Sequence, residues 1–268
     1  MVDQPIIMGV LNITPDSFSD GGLFLEAQSA IDQAMLMVEQ GADIIDIGGE
    51  STRPGAPEVS AKNELKRVLP VIEALSGNID VPISIDTSKP FVMERAFDAG
   101  ASIINDVYAL RSKGALEMAA SLGADVCLMH MQGNPRTMQK NPKYDDVVSD
   151  VKIFFTERLE ACSAVGIKLD SITLDPGFGF GKNLAHNIAL LKNLAEFHDF
   201  GVSILAGLSR KSMIGSLLGD KKVDSRMIGS VTAALIAVEN GANIIRAHDV
   251  AETKDALTVW QQIKHFRE

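Results

Sequence analysis

One short pattern occurs four times in this chain: a Gly-Ala pair, a variable residue, two apolar residues and a polar ending. The copies are GADIIDIGGES (41–51), GASIINDV (100–107), GADVCLMH (123–130) and GANIIRAHD (241–249). Each glycine follows an amphipathic stretch, where its freedom to adopt a left-handed conformation can end a helix. The apolar run after it is typical of a strand buried on both faces. The repeat therefore predicts a parallel α/β protein with its chemistry at one edge of the sheet.

Eight segments have the composition of buried strands, and helical patterns separate them. The predicted strands span 6–11, 43–48, 82–86, 102–106, 125–129, 171–175, 203–207 and 243–247. Every connection is longer than the dozen or so residues that a parallel crossover needs. With a closing helix at 252–265, this count matches a (β/α)₈ TIM barrel. The alternative, a doubly wound open sheet, usually has a glycine-rich dinucleotide turn after its first strand, and this chain has NITPDSFSDGG there.

Three helical patterns are clear, at 31–40, 64–75 and 151–165, with apolar residues three and four positions apart. Pro70 interrupts the second, so we expect a kink or an N-terminal break there. The length of 268 residues fits one barrel domain over 1–268, and no Pro/Ser-rich linker marks a boundary.

The composition limits the partners. A net charge of −10 argues against a general nucleic-acid or anionic-membrane surface. No apolar run approaches the roughly 20 residues that span a bilayer, and the first strand begins too early to leave room for a signal peptide. Cys127 and Cys162 are most simply buried thiols. We expect a soluble, cytoplasmic protein that acts on small molecules.

A barrel places its active site at the C-terminal ends of its strands. The polar residues at those ends are, in order, Asn12, Glu50 with Thr52, Asp86, Asn105, His130, Asp175, Ser209 with Lys211, and Arg246 with His248. Helix capping explains some of them, and Thr87 or Ser88 would suit the helix at 90–98. Capping does not explain why Asp, Lys, Arg and His all converge on one mouth.

Lys211, Arg246 and His248 form a cationic group after the seventh and eighth strands, where many barrels bind phosphate. Arginine supplies a planar fork of donors and lysine a point charge. The Arg-x-His alternation points both side chains the same way. The alternative is an ion pair with a neighbouring carboxylate such as Asp249.

Asp86, Asn105 and Asp175 form a second group, at spacings that do not make a local metal clamp. Such side chains can recognise a flat heterocycle that carries an amino group and ring N–H donors. Asp86 alone could equally be a structural carboxylate. Asp175 begins DPGFGFGK, whose alternating glycines let the backbone approach a ligand closely.

Two other motifs are incomplete. GFGFGK is not a Walker A loop, because Pro176 and Asn183 occupy the positions of its first glycine and its Ser/Thr. GLSRK lacks the last glycine of a nucleophile elbow, so Ser209 is a weak nucleophile candidate. His130 is expected to be a supporting histidine rather than a catalyst.

Two loops, 14–22 and 50–56, are rich in turn residues but also carry Phe18, Arg53 and Pro54. We expect both loops to act as flexible lids over the mouth, with these three residues in contact with substrate.

Together, NITPDSFSDGG, GGESTRPGA, ISIDTSKP, IINDV, LDPGFGFGK, GLSRKS and RAHDVAET resemble the dihydropteroate synthase family in order and spacing. The resemblance covers nearly the whole chain. It implies that a dihydropterin carrying a hydroxymethyl diphosphate loses diphosphate while the amine of p-aminobenzoate takes its place. It also implies a homodimer.

The resemblance assigns roles to the strand-end residues. Asp86, Asn105, Asp175 and Lys211 match pterin-binding positions. Asn12, Arg246 and His248 match diphosphate-binding positions, with Asn12 as a ligand of Mg²⁺. Thr52 lies at the substrate edge, while Phe18, Pro54 and Ser209 match p-aminobenzoate contacts. We expect Asp86, Lys211, Arg246 and His248 to be catalytic, with no nucleophilic side chain needed.

Three alternatives remain at this point. A related pterin-binding methyltransferase domain would need neither a diphosphate subsite nor lids for p-aminobenzoate. A Schiff-base aldolase would use Lys211 as its nucleophile. A small-molecule carrier built on a barrel would have no turnover.

Overall fold

The computed structural model describes residues 4–13, 23–52 and 55–266. Phe18, Arg53 and Pro54, which the sequence assigns to substrate loops, lie outside the described residues.

Eight parallel strands form a closed barrel in which each strand pairs with its neighbours along the chain and β8 pairs with β1. The strands are β1 Ile6–Asn12, β2 Ile44–Gly48, β3 Ile83–Asp86, β4 Ile103–Asp106, β5 Asp125–Met129, β6 Ile172–Asp175, β7 Ser203–Ala206 and β8 Ile244–Ala247. Each predicted strand is confirmed with its ends within one residue. The closed barrel excludes the doubly wound alternative.

Helices occupy every connection between the strands. In the described residues they are α1 Leu23–Glu39, α2 Ala61–Ser76, α3 Pro90–Asp98, α4 Ala115–Leu122, α5 Val147–Ala164, α6 Leu184–Lys192, α7 Ser212–Leu217, α8 Met227–Glu239 and α9 Val250–His265. The connection from β7 to β8 holds two helices, α7 and α8, where the sequence analysis predicted one. The predicted closing helix is confirmed as α9.

The glycines of the fourfold repeat have the role that the pattern predicts. Gly41, Gly100, Gly123 and Gly241 have φ angles of 95°, 117°, 62° and 105°, in the left-handed region that side chains disfavour. Each lies one or two residues after the end of a helix and two or three residues before a strand. The repeat is therefore the helix-to-strand turn of the barrel.

Pro70 does not break α2. The helix runs without interruption from Ala61 to Ser76 and contains the proline. Pro70 and Lys66, whose carbonyl loses its partner, both lie on the exposed face of the helix. Water can bind the freed carbonyl there, so the proline is tolerated. The predicted N-terminal break was wrong.

The barrel interior changes from apolar to polar along its axis. Near the N-terminal ends of the strands, Met8, Ile44, Cys127, Leu205 and Ile244 form a small buried cluster. Alternate residues of a barrel strand face inward, so the next inward position on β2 is two residues beyond Ile44. That position is Asp46, and it marks the start of the polar layer.

The strand register brings polar residues to one level. Asn12 pairs with Gly48, Gly48 with Asp86, and Asp86 with Asn105, on four successive strands. Paired residues on parallel strands point to the same side of the sheet. The register therefore gathers three of the predicted site residues at the mouth, around a glycine that leaves space between them.

Candidate active site

A guanidinium lies at the centre of the polar layer, between two carboxylates. Arg246 donates from Nε to Asp46 Oδ2 at 2.6 Å and from Nη2 to Asp86 Oδ2 at 2.9 Å. Asn105 Nδ2 donates to the same Asp46 oxygen at 2.9 Å. Because one oxygen of Asp46 receives both bonds, Asp46 Oδ1 is buried without a partner among the described residues. This oxygen is closed off from solvent, and it lacks the hydrogen bond that buried acceptors usually make.

The charges in this layer are strongly coupled. Burial raises the pKa of Asp86 to about 7, although the nearby Arg246 acts to lower it. Burial acts to lower the pKa of Arg246, but the carboxylates of Asp46 and Asp86 outweigh it and the pKa is raised. Arg246 therefore stays charged, and Asp86 changes its protonation near neutral pH.

Asp175 and Lys211 face this layer from the opposite wall. Asp175 Oδ1 accepts from the backbone N–H of Gly177 at 2.8 Å. Lys211 Nζ donates to the carbonyl of Phe178 at 2.5 Å and lies 4.7 Å from the centre of the Phe180 ring. Burial lowers the pKa of Lys211 to about 8, and it raises the pKa of Asp175.

Gly207, at the end of β7, leaves space between the two walls. A Cβ at this position would lie 3.6 Å from Lys211 Nζ, 3.9 Å from Arg246 Cβ and 3.9 Å from Asp175 Oδ2. Because Gly207 has no side chain, the space at the bottom of the mouth stays open, and Lys211, Arg246 and Asp175 surround it. With the amide of Asn105, these groups can pair with several donors and acceptors of a flat heterocycle.

His248 and Ser209 form the rim beside Arg246. The hydroxyl of Ser209 accepts from the backbone N–H of His248 at 3.1 Å and lies 3.0 Å from His248 Nδ1. Asp249 instead pairs with Arg210, through a 3.1 Å bond from Nε and a second bond from Nη2. Asp249 therefore does not pair with Arg246 or Lys211, but the ion-pair alternative does hold for Arg246, whose partners are Asp46 and Asp86.

Thr52 lines a cavity of about 300 Å³ at the mouth, together with Asp86 and Lys89. Lys89 Nζ forms ion pairs with Glu50 and with Glu64. Glu50 Oε1 also accepts from the backbone N–H of Val59 at 2.9 Å. These contacts tie both ends of the loop that contains Thr52 to one lysine at the start of α3.

The mouth has one side-chain oxygen suited to Mg²⁺ at the end of β1. The side chain of Asn12 makes no hydrogen bond with another described residue, and a Cβ on Gly48 would lie 3.6 Å from Asn12 Oδ1. Among the described residues, no group of three or more His, Cys, Asp or Glu side chains could hold a metal ion alone. Mg²⁺ commonly takes one or two protein oxygens and completes its shell with substrate phosphates and water. The donor set therefore fits a Mg²⁺ that arrives with a diphosphate.

The sequence analysis missed two buried residues of this region, Asp46 and Lys182. Asp46 carried a signal, because it is an acidic residue in the middle of the buried strand IIDIG. The strand-end rule does not select Asp46, because it lies two residues before the end of β2. In the sequence, Lys182 stands out only as the lysine of GFGFGK, the incomplete Walker A motif.

The described part of the chain contains no helix long and apolar enough to cross a membrane.

Comparison with known proteins places this geometry in a family. A family model described as pterin binding enzyme matches residues 8–248. The dihydropteroate synthase of Escherichia coli strain K12 is 55% identical over 258 residues, which cover 96% of this chain and 91% of the relative. The structure of Yersinia pestis dihydropteroate synthase with a sulfonamide drug superposes with a TM-score of 0.93 at 52% identity, covering 98% of this chain and 95% of the other.

The Xanthomonas albilineans dihydropteroate synthase is similar in two ligand-bound structures. The one with 4-aminobenzoic acid has a TM-score of 0.94 at 49% identity and covers 99% of this chain and 95% of the other. The one with 7,8-dihydropteroate has a TM-score of 0.91 at 46% identity and covers 100% of this chain and 96% of the other.

A closed parallel barrel with carboxylates, an amide and a lysine around its mouth, matched by this family model, defines a pterin-binding enzyme. Within that class, 55% identity over nearly the whole chain shows that the chain belongs to the dihydropteroate synthase family.

Proposed function

We propose that the barrel mouth condenses a dihydropterin methyl diphosphate with p-aminobenzoate to give dihydropteroate and diphosphate. The C–O bond to the pterin methylene carbon breaks, and the diphosphate keeps the electron pair. The amine nitrogen of p-aminobenzoate forms the new C–N bond and loses a proton. The single observation that carries the proposal is the pairing of Arg246 with Asp46 and Asp86 opposite Asp175 and Lys211.

The proposed role of each residue follows from its charge and its hydrogen-bonding groups. Asp175 and the side-chain oxygen of Asn105 accept from the amino and ring N–H groups of the pterin. The carboxylate of Asp86 stabilises the positive charge that develops on the pterin as the diphosphate leaves. Lys211 supplies a donor on the opposite edge of the ring.

The diphosphate subsite uses the rim beside the pterin. Two nitrogens of Arg246 are held by carboxylates, and Nη1 forms no hydrogen bond with the described residues. We infer that Arg246 Nη1 and His248 bind the diphosphate and that Asn12 holds Mg²⁺ there. The metal, when bound, neutralises charge on the leaving group. Phe18, Pro54 and Ser209 stay predicted contacts of p-aminobenzoate, Arg53 stays a predicted substrate contact, and Thr52 stays predicted at the substrate edge.

One assay tests the reaction. Protein, pterin diphosphate and p-aminobenzoate are incubated with Mg²⁺ or with EDTA, and diphosphate and dihydropteroate are measured separately. We expect equal amounts of both products with Mg²⁺, a large loss with EDTA, and competition by sulfonamides against p-aminobenzoate. Diphosphate release without dihydropteroate would contradict the condensation, and full activity in EDTA would contradict the role of Asn12.

The same samples test the alternatives. A Schiff-base aldolase would be trapped on Lys211 by borohydride with a carbonyl substrate, and we expect no adduct by mass spectrometry. A carrier would bind pterin diphosphate without turnover. A methyltransferase domain would bind methyltetrahydrofolate as well as it binds pterin diphosphate, whereas we expect a clear preference for the diphosphate because of Arg246 and His248.

We further propose a homodimer formed through the outer face of the last helices. Several large apolar side chains are exposed on and between α7, α8 and α9: Leu217, Val223, Ile228, Ile236, Val259 and Ile263. Exposed apolar surface of this extent on adjacent elements often marks an interface. Sedimentation should give a dimer, and Ile228→Glu should give a monomer that still binds pterin. Ile153→Glu, at an exposed isoleucine of α5, is the control that should remain a dimer.

The free thiols of Cys127 and Cys162, both buried, support a reducing compartment, and we propose the cytoplasm.

A further inference from the structure

The loop after β6 has an uncommon hydrogen-bond pattern. Five successive backbone carbonyls, from residue 177 to residue 181, each accept from a side chain. The donors are Lys182 to Gly177 and Phe180, Lys211 to Phe178, Gln139 to Gly179, and Tyr144 to Gly181. In most loops such carbonyls bind water or other backbone groups. Here side chains from three parts of the chain fix the course of the loop.

Lys182 is the most buried of these donors, with 3% of its surface exposed. Its Nζ lies 3.0 Å from the Gly177 carbonyl, 3.1 Å from the Phe180 carbonyl and 3.3 Å from the His130 carbonyl. The fourth contact is His130 Nδ1, at 2.8 Å. A buried lysine is costly unless its donors are satisfied, and four acceptors surround its three N–H groups.

His130 completes the arrangement as an acceptor. Burial lowers the pKa of His130 to about 2, so its ring is neutral. Burial lowers the pKa of Lys182 well below its usual value. When Lys182 is protonated it has only donors, and His130 Nδ1 then accepts from it. His130 therefore contacts Lys182 Nζ from the end of β5, as the sequence analysis expected of a non-catalytic histidine.

Lys182 is linked to Asp175 and to Lys211 through the backbone of the loop after β6. The carbonyl of Gly177 accepts from Lys182, and the N–H of the same residue donates to Asp175 Oδ1 at 2.8 Å. The next carbonyl, that of Phe178, accepts from Lys211 Nζ. The lysine thus holds the segment that orients one pterin-facing carboxylate and anchors one pterin-facing cation.

We propose that Lys182 is a positioning residue for the pterin site, which orients Asp175 and places Lys211 through the backbone of Gly177 and Phe178. This inference rests on the proposed function of the site. It assigns a role to the final lysine of GFGFGK, which neither phosphate binding nor catalysis requires.

The test compares Lys182→Met with Lys168→Met, an exposed lysine at the opposite end of β6. Small displacements of a binding group can cost about 100-fold, and we expect Lys182→Met to weaken pterin affinity by about 10- to 100-fold by calorimetry. The KM for p-aminobenzoate at saturating pterin diphosphate should change less than about threefold. The control variant should match the unmodified protein in both.

Two further variants keep the test decisive if Lys182→Met does not fold. Lys182→Gln retains donors but not the charge, and Tyr144→Phe removes only the bond to Gly181. Both should weaken pterin binding more than they raise the KM for p-aminobenzoate. A folded Lys182 variant with unchanged pterin affinity would overturn the proposal. Equal losses for both substrates would also overturn it, because they indicate general destabilisation. If neither pterin nor p-aminobenzoate reacts even in the unmodified protein, the proposed function fails instead.

Discussion

Replacing Arg246 by methionine should destabilise the protein far more than replacing Arg95 by methionine. Arg95 is a surface arginine whose ion pair has the same N–O distance. Arg246 Nη2 and Asp86 Oδ2 are 2.9 Å apart, and so are Arg95 Nη1 and Asp98 Oδ2 on α3. The exposed fractions of the side chains are 20% and 11% in the first pair, against 49% and 57% in the second. Arg246→Met also leaves Asp46, with a fully buried side chain, without its cation.

The magnitudes follow from burial. Removing one partner of a buried ion pair costs about 3–5 kcal/mol, and we take about 3–4 kcal/mol because Arg246 is still partly open to solvent. An exposed pair within a helix is worth about 0.3–0.5 kcal/mol. In a protein of this size each kcal/mol lowers Tm by about 2–4 °C. We therefore expect a drop of about 6–16 °C for Arg246→Met and of about 2 °C or less for Arg95→Met.

The difference should depend on pH. The pKa of Asp86 in the folded protein is about 7, above its ordinary 3.8, so the folded state holds the proton more tightly than the unfolded state. The contribution of Asp86 to stability therefore falls as the pH rises from about 4 to about 7. Removing Arg246 raises this pKa further, so Arg246→Met should lose more stability at pH 8 than at pH 5.

Differential scanning calorimetry at both pH values measures this, with Arg95→Met as the control. Adding Asp46→Asn and Asp86→Asn to Arg246→Met should recover part of the lost Tm, because no buried carboxylate is then left unpaired. Equal Tm changes for the two arginine variants would refute the reasoning. So would a loss for Arg246→Met that does not vary with pH.

Three other outcomes follow from the same geometry. Because burial lowers the pKa of Lys211 to about 8, pterin affinity should fall as the pH rises through about 8, and Lys211→Arg should remove that fall, measured by fluorescence titration. Gly177→Ala should abolish folding or pterin binding, because φ is 70° and a Cβ would collide with the His130 carbonyl oxygen; soluble yield and circular dichroism check this. Asp106→Asn should cost about 1–3 kcal/mol in urea unfolding, because Asp106 accepts from two backbone N–H groups, including that of Leu110 with φ 58°.

The architecture could be predicted because its sequence signals each lie within a short stretch of the chain. The turn glycines, the apolar strand runs and the lengths of the connections each depend on neighbours in the chain, and together they specify a barrel. The structure differs from the prediction where solvent exposure or packing outweighs the local sequence pattern. Pro70 stays in α2 because the carbonyl that it frees faces water. The last connection divides into α7 and α8 at the polar segment 218–226, where Gly219 has a φ angle of 73°.

The candidate site was predicted in its membership but not in its contacts. The strand-end rule finds Asp86, Asn105, Asp175, Lys211 and Arg246 because a closed barrel brings all eight ends together. The partner of Arg246 could not be inferred, since Asp46 lies 200 positions away in the chain. Asp249 is adjacent in sequence and was the obvious candidate, yet it faces Arg210.

The pairing of Arg246 explains how an acidic protein of net charge −10 can receive an anionic substrate. Two carboxylates hold the guanidinium in a fixed orientation, so little side-chain entropy is lost when Nη1 binds an anion. One of these carboxylates, Asp86, also lines the mouth. Under the proposed function, the pterin and the diphosphate therefore both contact the ion-paired group around Arg246. We therefore expect binding of the pterin ring and binding of the diphosphate to be coupled through Arg246. A substitution at Asp46 should weaken the affinity for both inorganic diphosphate and pterin, although Asp46 contacts neither the rim nor the solvent.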